Sequence, residues 1–139
     1  MSKQTQSNQI HIVLGLGKSG ISAAKLLKSE DKEVLVLENN TNEKLISISN
    51  KLESEGISVI LLDEQLNINN FTPWIGKIDT IVVSPGIEWE HKVLKELRSK
   101  NINIQGEVDM AWERLNHIPS IAITGTNGKT TVTSMLNHV

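Results

Sequence analysis

The chain has 139 residues, enough for about one domain with a sizeable core. Fourteen Lys and Arg against sixteen Asp and Glu give a net charge of -2, so duplex nucleic acid meets no strong positive field and any phosphate recognition must be local. No cysteine is present, which excludes a disulfide scaffold, a zinc finger and a thiol nucleophile, while 38% hydrophobic and 22% charged residues is a balance that folds.

Residues 1–9 are polar, lack the apolar stretch of a signal peptide and read as a disordered tail. The aliphatic run 10–14 predicts a first strand. It leads into Gly15-Leu16-Gly17-Lys18-Ser19-Gly20, and a helix follows through about Leu27. A second strand at 33–37 ends beside Glu38, Asn39 and Asn40. Leu45, Ile48 and Leu52 form a helical stripe, and 57–62 reads as a third strand. The Asn-rich stretch 66–76 breaks the rhythm and reads as an irregular connection. A fourth strand at 78–84 runs into Ser84-Pro85-Gly86, then a helix carries Val93, Leu94 and Leu97. A short strand at 102–104 precedes a helix whose Val108, Ala111, Trp112 and Leu115 fall at i, i+3, i+4 and i+7, the spacing of a face turned to a sheet. The last unit is a strand at 120–124, a glycine loop and a helix with Val132, Met135, Leu136 and Val139 on one side.

Strand segments such as Ile-Val-Val and Val-Leu-Val-Leu are nearly continuous rather than alternating, as in parallel strands covered on both faces. Alternating strand and helix predicts βαβ units with right-handed crossovers, hence an α/β, Rossmann-like, doubly wound parallel sheet. No apolar run approaches the roughly 20 residues that cross a bilayer, so no membrane association and a cytoplasmic location are expected. The four histidines lack metal-ligand spacing and read as surface or edge residues.

Two loops carry chemistry. In the first, G-x-G-x-x-G between a strand and a helix permits a tight turn at Gly15, close backbone approach to a pyrophosphate at Gly17 and close helix packing at Gly20, with the anion at the helix N-terminus. Glu38 lies about 20 residues on, where such folds place a ribose-binding acid, so a nicotinamide-binding oxidoreductase domain is one reading; a solvated carboxylate at a strand end is the other. The second loop, Thr124-Gly125-Thr126-Asn127-Gly128-Lys129-Thr130-Thr131, is a variant of G-x-x-x-x-G-K-[ST] with Ile123 in place of the first glycine. Its backbone N–H groups would wrap the phosphates of ATP, Lys129 would neutralise the β- and γ-phosphates and Thr130 would ligate Mg²⁺.

Taken with Ser84-Pro85-Gly86-Ile87 and Gly106-Glu107-Val108-Asp109-Met110, the two loops resemble the N-terminal part of the D-glutamate-adding Mur ligases of bacterial peptidoglycan synthesis. The resemblance covers 10–139. It implies that 10–117 form a Rossmann-like domain for the UDP part of UDP-N-acetylmuramoyl-L-alanine rather than for a nicotinamide. Gly15, Gly17, Lys18, Ser19 and Gly20 would meet the nucleotide, Glu38, Asn39 and Asn40 would flank uracil or ribose, and Ser84 and Gly86 would approach the diphosphate. Residues 118–139 would open a central ATP-binding domain, with Gly125 to Thr131 holding ATP. The implied reaction phosphorylates the alanyl carboxylate with ATP and lets the amine of D-glutamate displace phosphate, with Lys129 and Thr130 in the catalytic site. The rest of that site would lie beyond Val139, so the chain is expected to be a fragment, inactive as a ligase by itself. No obligate protein partner is expected. A non-catalytic nucleotide-binding module is a further alternative.

Overall fold

A computed structural model describes residues 9–136. The expected polar tail falls almost wholly outside them, as do His138 and Val139. Five strands, β1 (Ile10–Leu14), β2 (Glu33–Glu38), β3 (Ser58–Leu61), β4 (Ile78–Val83) and β5 (Asn103–Gly106), form one parallel sheet in the order β3-β2-β1-β4-β5. The helices are α1 (Lys18–Ser29), α2 (Glu43–Ser54), α3 (Lys92–Ser99), α4 (Glu107–Leu115) and α5 (Lys129–Leu136). The predicted architecture and five of the six predicted strands are observed.

The strand order follows from crossover handedness. Stepping from β1 to β2 to β3 in one direction puts α1 and α2 on one face, and the reverse step from β4 to β5 puts α3 on the other. Side-chain alternation then divides the core. Ile12 and Leu14 of β1 face α3 together with Leu35, Ile81, Leu94 and Leu97, while Val13 faces Ala24 and Leu27 of α1, Leu52 of α2 and Met110 of α4. β1 is wholly buried because strands flank it on both sides and helices cover both faces.

The Asn-rich connection is more ordered than expected. Asn67 caps a short 3₁₀ turn, Ile68–Phe71, by accepting from the Asn69 amide at 2.9 Å, and the Asn70 side chain accepts from the Asn67 amide at 2.7 Å. The turn drives Phe71, fully buried, into the α3 side of the core.

Three expectations are corrected. Residues 120–124 form no strand; a strand exists through its ladder to a neighbour, and here the segment is largely exposed with Ile121 75% accessible. The stripe Val108, Trp112 and Leu115 of α4 faces outward, with Val108 76% exposed. The helix instead turns Glu107, Met110 and Arg114 inward: Met110 packs under α1, Arg114 Nη2 donates to Glu30 Oε2 at 2.7 Å, and Glu107 meets Ser84. His11, expected at the surface or an edge, is buried on the central strand β1, its Nε2 3.1 Å from Asp79 Oδ2. The other two described histidines are on or near the surface, and His91 caps α3 through Nδ1, which accepts from the Val93 amide at 3.3 Å.

Candidate functional site

Neighbouring strands β1 and β4 begin chain excursions in opposite directions, which opens a crevice at their carboxyl ends. A cavity of about 470 Å³ lies there, lined by Gly15, Gly17, Ser19, Glu38, Asn39 and Asn40 and closed by Ser84 and Gly86. Eight of the ten residues expected to meet the nucleotide therefore share one cavity. Lys18 is exposed outside its lining, and Gly20 is buried beneath it.

The glycines of the first loop have separate physical causes. Gly15 holds φ at +102°, a backbone region that side chains rarely enter. A Cβ on Gly20 would lie 2.1 Å from the Gly15 carbonyl oxygen, so this glycine lets α1 pack against the loop. Gly17 is different: nothing lies within 4 Å of where its Cβ would be, and its φ of -69° suits any residue. The protein itself does not demand glycine there, whereas a ligand approaching the backbone would. The same holds at Gly86. α1 begins at this point with no side-chain cap and no acidic residue in its first turn, leaving its N–H groups and the positive end of its dipole for an anion.

Glu38 is neither solvated nor free. Its Oε2 accepts from the Leu16 amide at 2.7 Å, and Oε1 accepts from the Asn40 amide at 2.9 Å and from Asn40 Nδ2 at 3.0 Å. One buried carboxylate thus ties the glycine loop to the turn after β2, and its acceptor capacity is largely used. A ribose diol, of UDP or of a nicotinamide cofactor alike, would compete with those bonds. Ser84 is likewise engaged inward: its hydroxyl donates to Glu107 Oε1 at 2.6 Å, both residues being buried, and its Oγ lies 3.0 Å from the Cβ positions of Gly15 and Gly20. It locks the loop after β4 to the glycine loop and to the start of α4. Glu107 had no assigned role in the sequence; its place at the head of a helix three residues after the short strand predicted at 102–104 was visible, but not the partner 23 residues away. Asp109 completes that helix start by accepting from the Gly106 amide at 3.3 Å.

The second loop stands apart. Gly125 and Gly128 hold φ at +143° and +80°, values that favour glycine, and α5 starts at Lys129. Lys129 Nζ folds back to donate to the Gly125 carbonyl, and Thr126, Asn127, Thr130 and Thr131 are exposed. α5 packs against no other element among the described residues and buries none of its own. Among the described residues, none of the second loop lines the crevice.

The family model described as Mur ligase MurD-like, N-terminal domain, matches residues 9–106, which contain every residue lining the cavity. The chain belongs to this family. It is 77% identical over all 139 residues to the UDP-N-acetylmuramoylalanine--D-glutamate ligase of Prochlorococcus marinus strain NATL2A, and 48% identical over 128 residues to the ligase of that name from Synechococcus sp. strain CC9605. It spans about 30% of the length of these relatives. Among solved structures, a UDP-N-acetylmuramate:L-alanyl-gamma-D-glutamyl-meso-diaminopimelate ligase from Neisseria aligns over 92% of this chain and 38% of its own with 22% identity and a TM-score of 0.64. A TrkA-N domain from Escherichia coli aligns over 96% of this chain and 97% of its own at 18% identity and a TM-score of 0.56, a likeness of fold alone. Within this Mur ligase domain, Gly17, Gly86, Asn39 and the free end of α1 converge on the crevice, and Glu38, Ser84 and Gly20 hold them there. Among the described residues no helix is long and apolar enough to cross a membrane.

Proposed function

We propose that residues 10–117 bind the UDP part of UDP-N-acetylmuramoyl-L-alanine, and that 118–139 open the ATP-binding domain of a cytoplasmic ligase that adds D-glutamate to it. The observation that carries this reading is the 77% identity over the whole chain to a ligase of that name. The crevice agrees with it. A free helix N-terminus and two glycines with open space suit a diphosphate, while Asn39 and Asn40 at the far side offer amide groups to uracil.

The second loop fits ATP and Mg²⁺ by its donor set: two glycines at positive φ in the loop, a lysine at the head of a helix and a threonine hydroxyl beside it. Gly125 to Thr131 would hold the triphosphate, Lys129 would offset its charge and Thr130 would hold the metal. The nucleotide supplies the phosphoryl group that turns the alanyl carboxylate into an electrophile for the D-glutamate amine. For this transfer the chain's residues position groups and offset charge rather than act as nucleophiles.

Calorimetric titration of the chain with UDP, NADH and Mg-ATP tests the assignment. Binding of UDP with no binding of NADH is the expected result. Preference for NADH would return the site to the oxidoreductase reading, and no nucleotide binding at all would leave a module that keeps only the fold.

A further inference from the structure

Glu107 is the first residue of α4, is only 9% exposed, and accepts through Oε1 from the Ser84 hydroxyl at 2.6 Å. Ser84 lines the crevice assigned to the diphosphate, so this carboxylate stands one hydroxyl away from an anion site. Like charges at such a separation repel, and attraction of the ligand therefore does not account for an acid at this position. Its burial is offset by the Ser84 hydrogen bond and by the positive end of the α4 dipole.

What the acid controls is the seating of the turn at 84–87. Ser84 Oγ lies 3.0 Å from the Cβ positions of both Gly15 and Gly20, so the hydroxyl fills the space that those two glycines leave open. Its proton is spent on Glu107, which does not line the crevice. The backbone donors of the turn are also accounted for. The Ser84 amide donates to the Leu14 carbonyl at 3.2 Å, the Ile87 amide donates to the Ser84 carbonyl at 3.0 Å, and Pro85 has no N–H. Among the described residues the Gly86 amide has no acceptor, and nothing lies within 4 Å of the Gly86 Cβ position. That amide is what the turn offers to a phosphate, and its direction depends on a seat made by Ser84 and fastened by Glu107.

We infer that Glu107 is a positioning residue for diphosphate binding: by accepting from Ser84 it fixes the turn against the glycine loop, so that the Gly86 amide and the free end of α1 face one anion. The inference rests on the UDP assignment of the crevice. Ser84 then serves as a brace and not as a donor to phosphate.

The test follows amide chemical shifts of the 139-residue chain by NMR during titration with UDP and with uridine, in the wild type, Glu107→Ala, Glu107→Gln and Ser84→Ala. Urea unfolding checks that each variant folds. Uridine keeps the base and ribose but lacks the phosphates, so a residue that only supports the fold would weaken both ligands alike. Glu107→Ala should weaken UDP by roughly tenfold, the equivalent of one charge-assisted hydrogen bond, although it removes a like charge, and leave uridine within about twofold. Glu107→Gln keeps an acceptor for Ser84 without the charge and should bind UDP at least as well as the wild type. Ser84→Ala should lose as much as Glu107→Ala, and the double variant no more than either, since both break one brace. Should Glu107→Ala not fold, retention of UDP in Glu107→Gln against its selective loss in Ser84→Ala carries the same contrast. Unchanged or tighter UDP binding in Glu107→Ala or in Ser84→Ala, a Gln variant that loses UDP, an equal loss for uridine, or losses that add in the double variant would each overturn the positioning role and leave the UDP assignment standing. Failure of the wild type to bind UDP would overturn both.

Discussion

Gly17 and Gly20 are three residues apart in one motif, yet the structure separates their causes, and substitution should separate their effects. A Cβ at Gly20 meets the Gly15 carbonyl at 2.1 Å, a backbone atom that cannot move aside. Gly20→Ala should therefore destabilise the chain by about 1–3 kcal/mol, read as a lower midpoint in urea unfolding. A Cβ at Gly17 meets nothing, so Gly17→Ala should shift stability by less than about 1 kcal/mol while weakening UDP by roughly tenfold or more, because the methyl takes space a phosphate needs. Equal stability losses in the two variants would refute the distinction. Glu38 gives a third expectation at this scale. Removing its carboxylate strands the Leu16 amide in a residue only 3% exposed, at a cost of about 1–3 kcal/mol, and frees both the loop and Asn40. Glu38→Ala should thus lose stability and UDP affinity together, whereas a carboxylate serving only as a ligand would change affinity alone.

At the scale of elements, α4 tests what an apolar stripe means. Val108, Trp112 and Leu115 obey the helical period, but they are 76%, 55% and 47% exposed, and the buried residues are Glu107 and Met110. Replacing the stripe by Thr, Gln and Gln should change unfolding free energy by no more than about 0.5 kcal/mol per site, whereas Met110→Ala should cost about 2–5 kcal/mol. A large loss from the stripe would mean that the helix packs by the face its periodicity suggests. The case marks where sequence stops being informative. Periodicity identifies a helix and its apolar side, but which side is covered depends on neighbours. The helix is held instead by a Ser84–Glu107 contact and an Arg114–Glu30 pair, 23 and 84 residues apart in sequence. The same limit explains 120–124, which has the composition of a strand but no ladder partner. Strands β1 to β4 were legible because each carries a run of aliphatic residues that is stable only between neighbours or under helices, β5 (Asn-Ile-Gln-Gly) only through the two isoleucines at 102 and 104, and the glycine loop because its spacing serves a local turn. The roles of Glu38 and Ser84 as internal braces were not, since a carboxylate or hydroxyl at a strand end looks the same whether it faces ligand or protein.

For the whole molecule, the end of the sheet opposite the crevice sets how stability responds to acid. His11 is buried on the central strand beside Asp79, with Lys32, Glu30 and Arg114 also facing it. Desolvation holds the imidazole below its ordinary pKa of 6.5; Asp79 and Glu30 pull it up, and Lys32 and Arg114 add to the lowering. Its Nδ1 is buried without a partner among the described residues, so a second proton there finds no acceptor among them. Because the folded pKa lies below the unfolded one, the unfolded chain binds more protons between the two values. Stability from this group is therefore complete above about pH 6.5 and falls as the pH drops through that window. The Glu30 carboxylate, held down by its hydrogen bond from Arg114, acts lower: its contribution is present above its ordinary value of 4.5 and is lost as the pH falls through the depressed one. The two groups thus act in separate ranges and can be told apart. Stability of the wild type in urea should hold nearly level from pH 7.5 to about 6.5 and weaken as the pH falls below it, and His11→Gln, which keeps a side chain of similar size without a titrating ring, should flatten that slope while preserving the steeper loss at lower pH. An identical slope in the variant would remove His11 as its source. Loss of the low-pH phase in Arg114→Gln, with the upper phase retained but lessened because Arg114 also lowers the His11 pKa, would complete the assignment of the acid response to this end of the sheet.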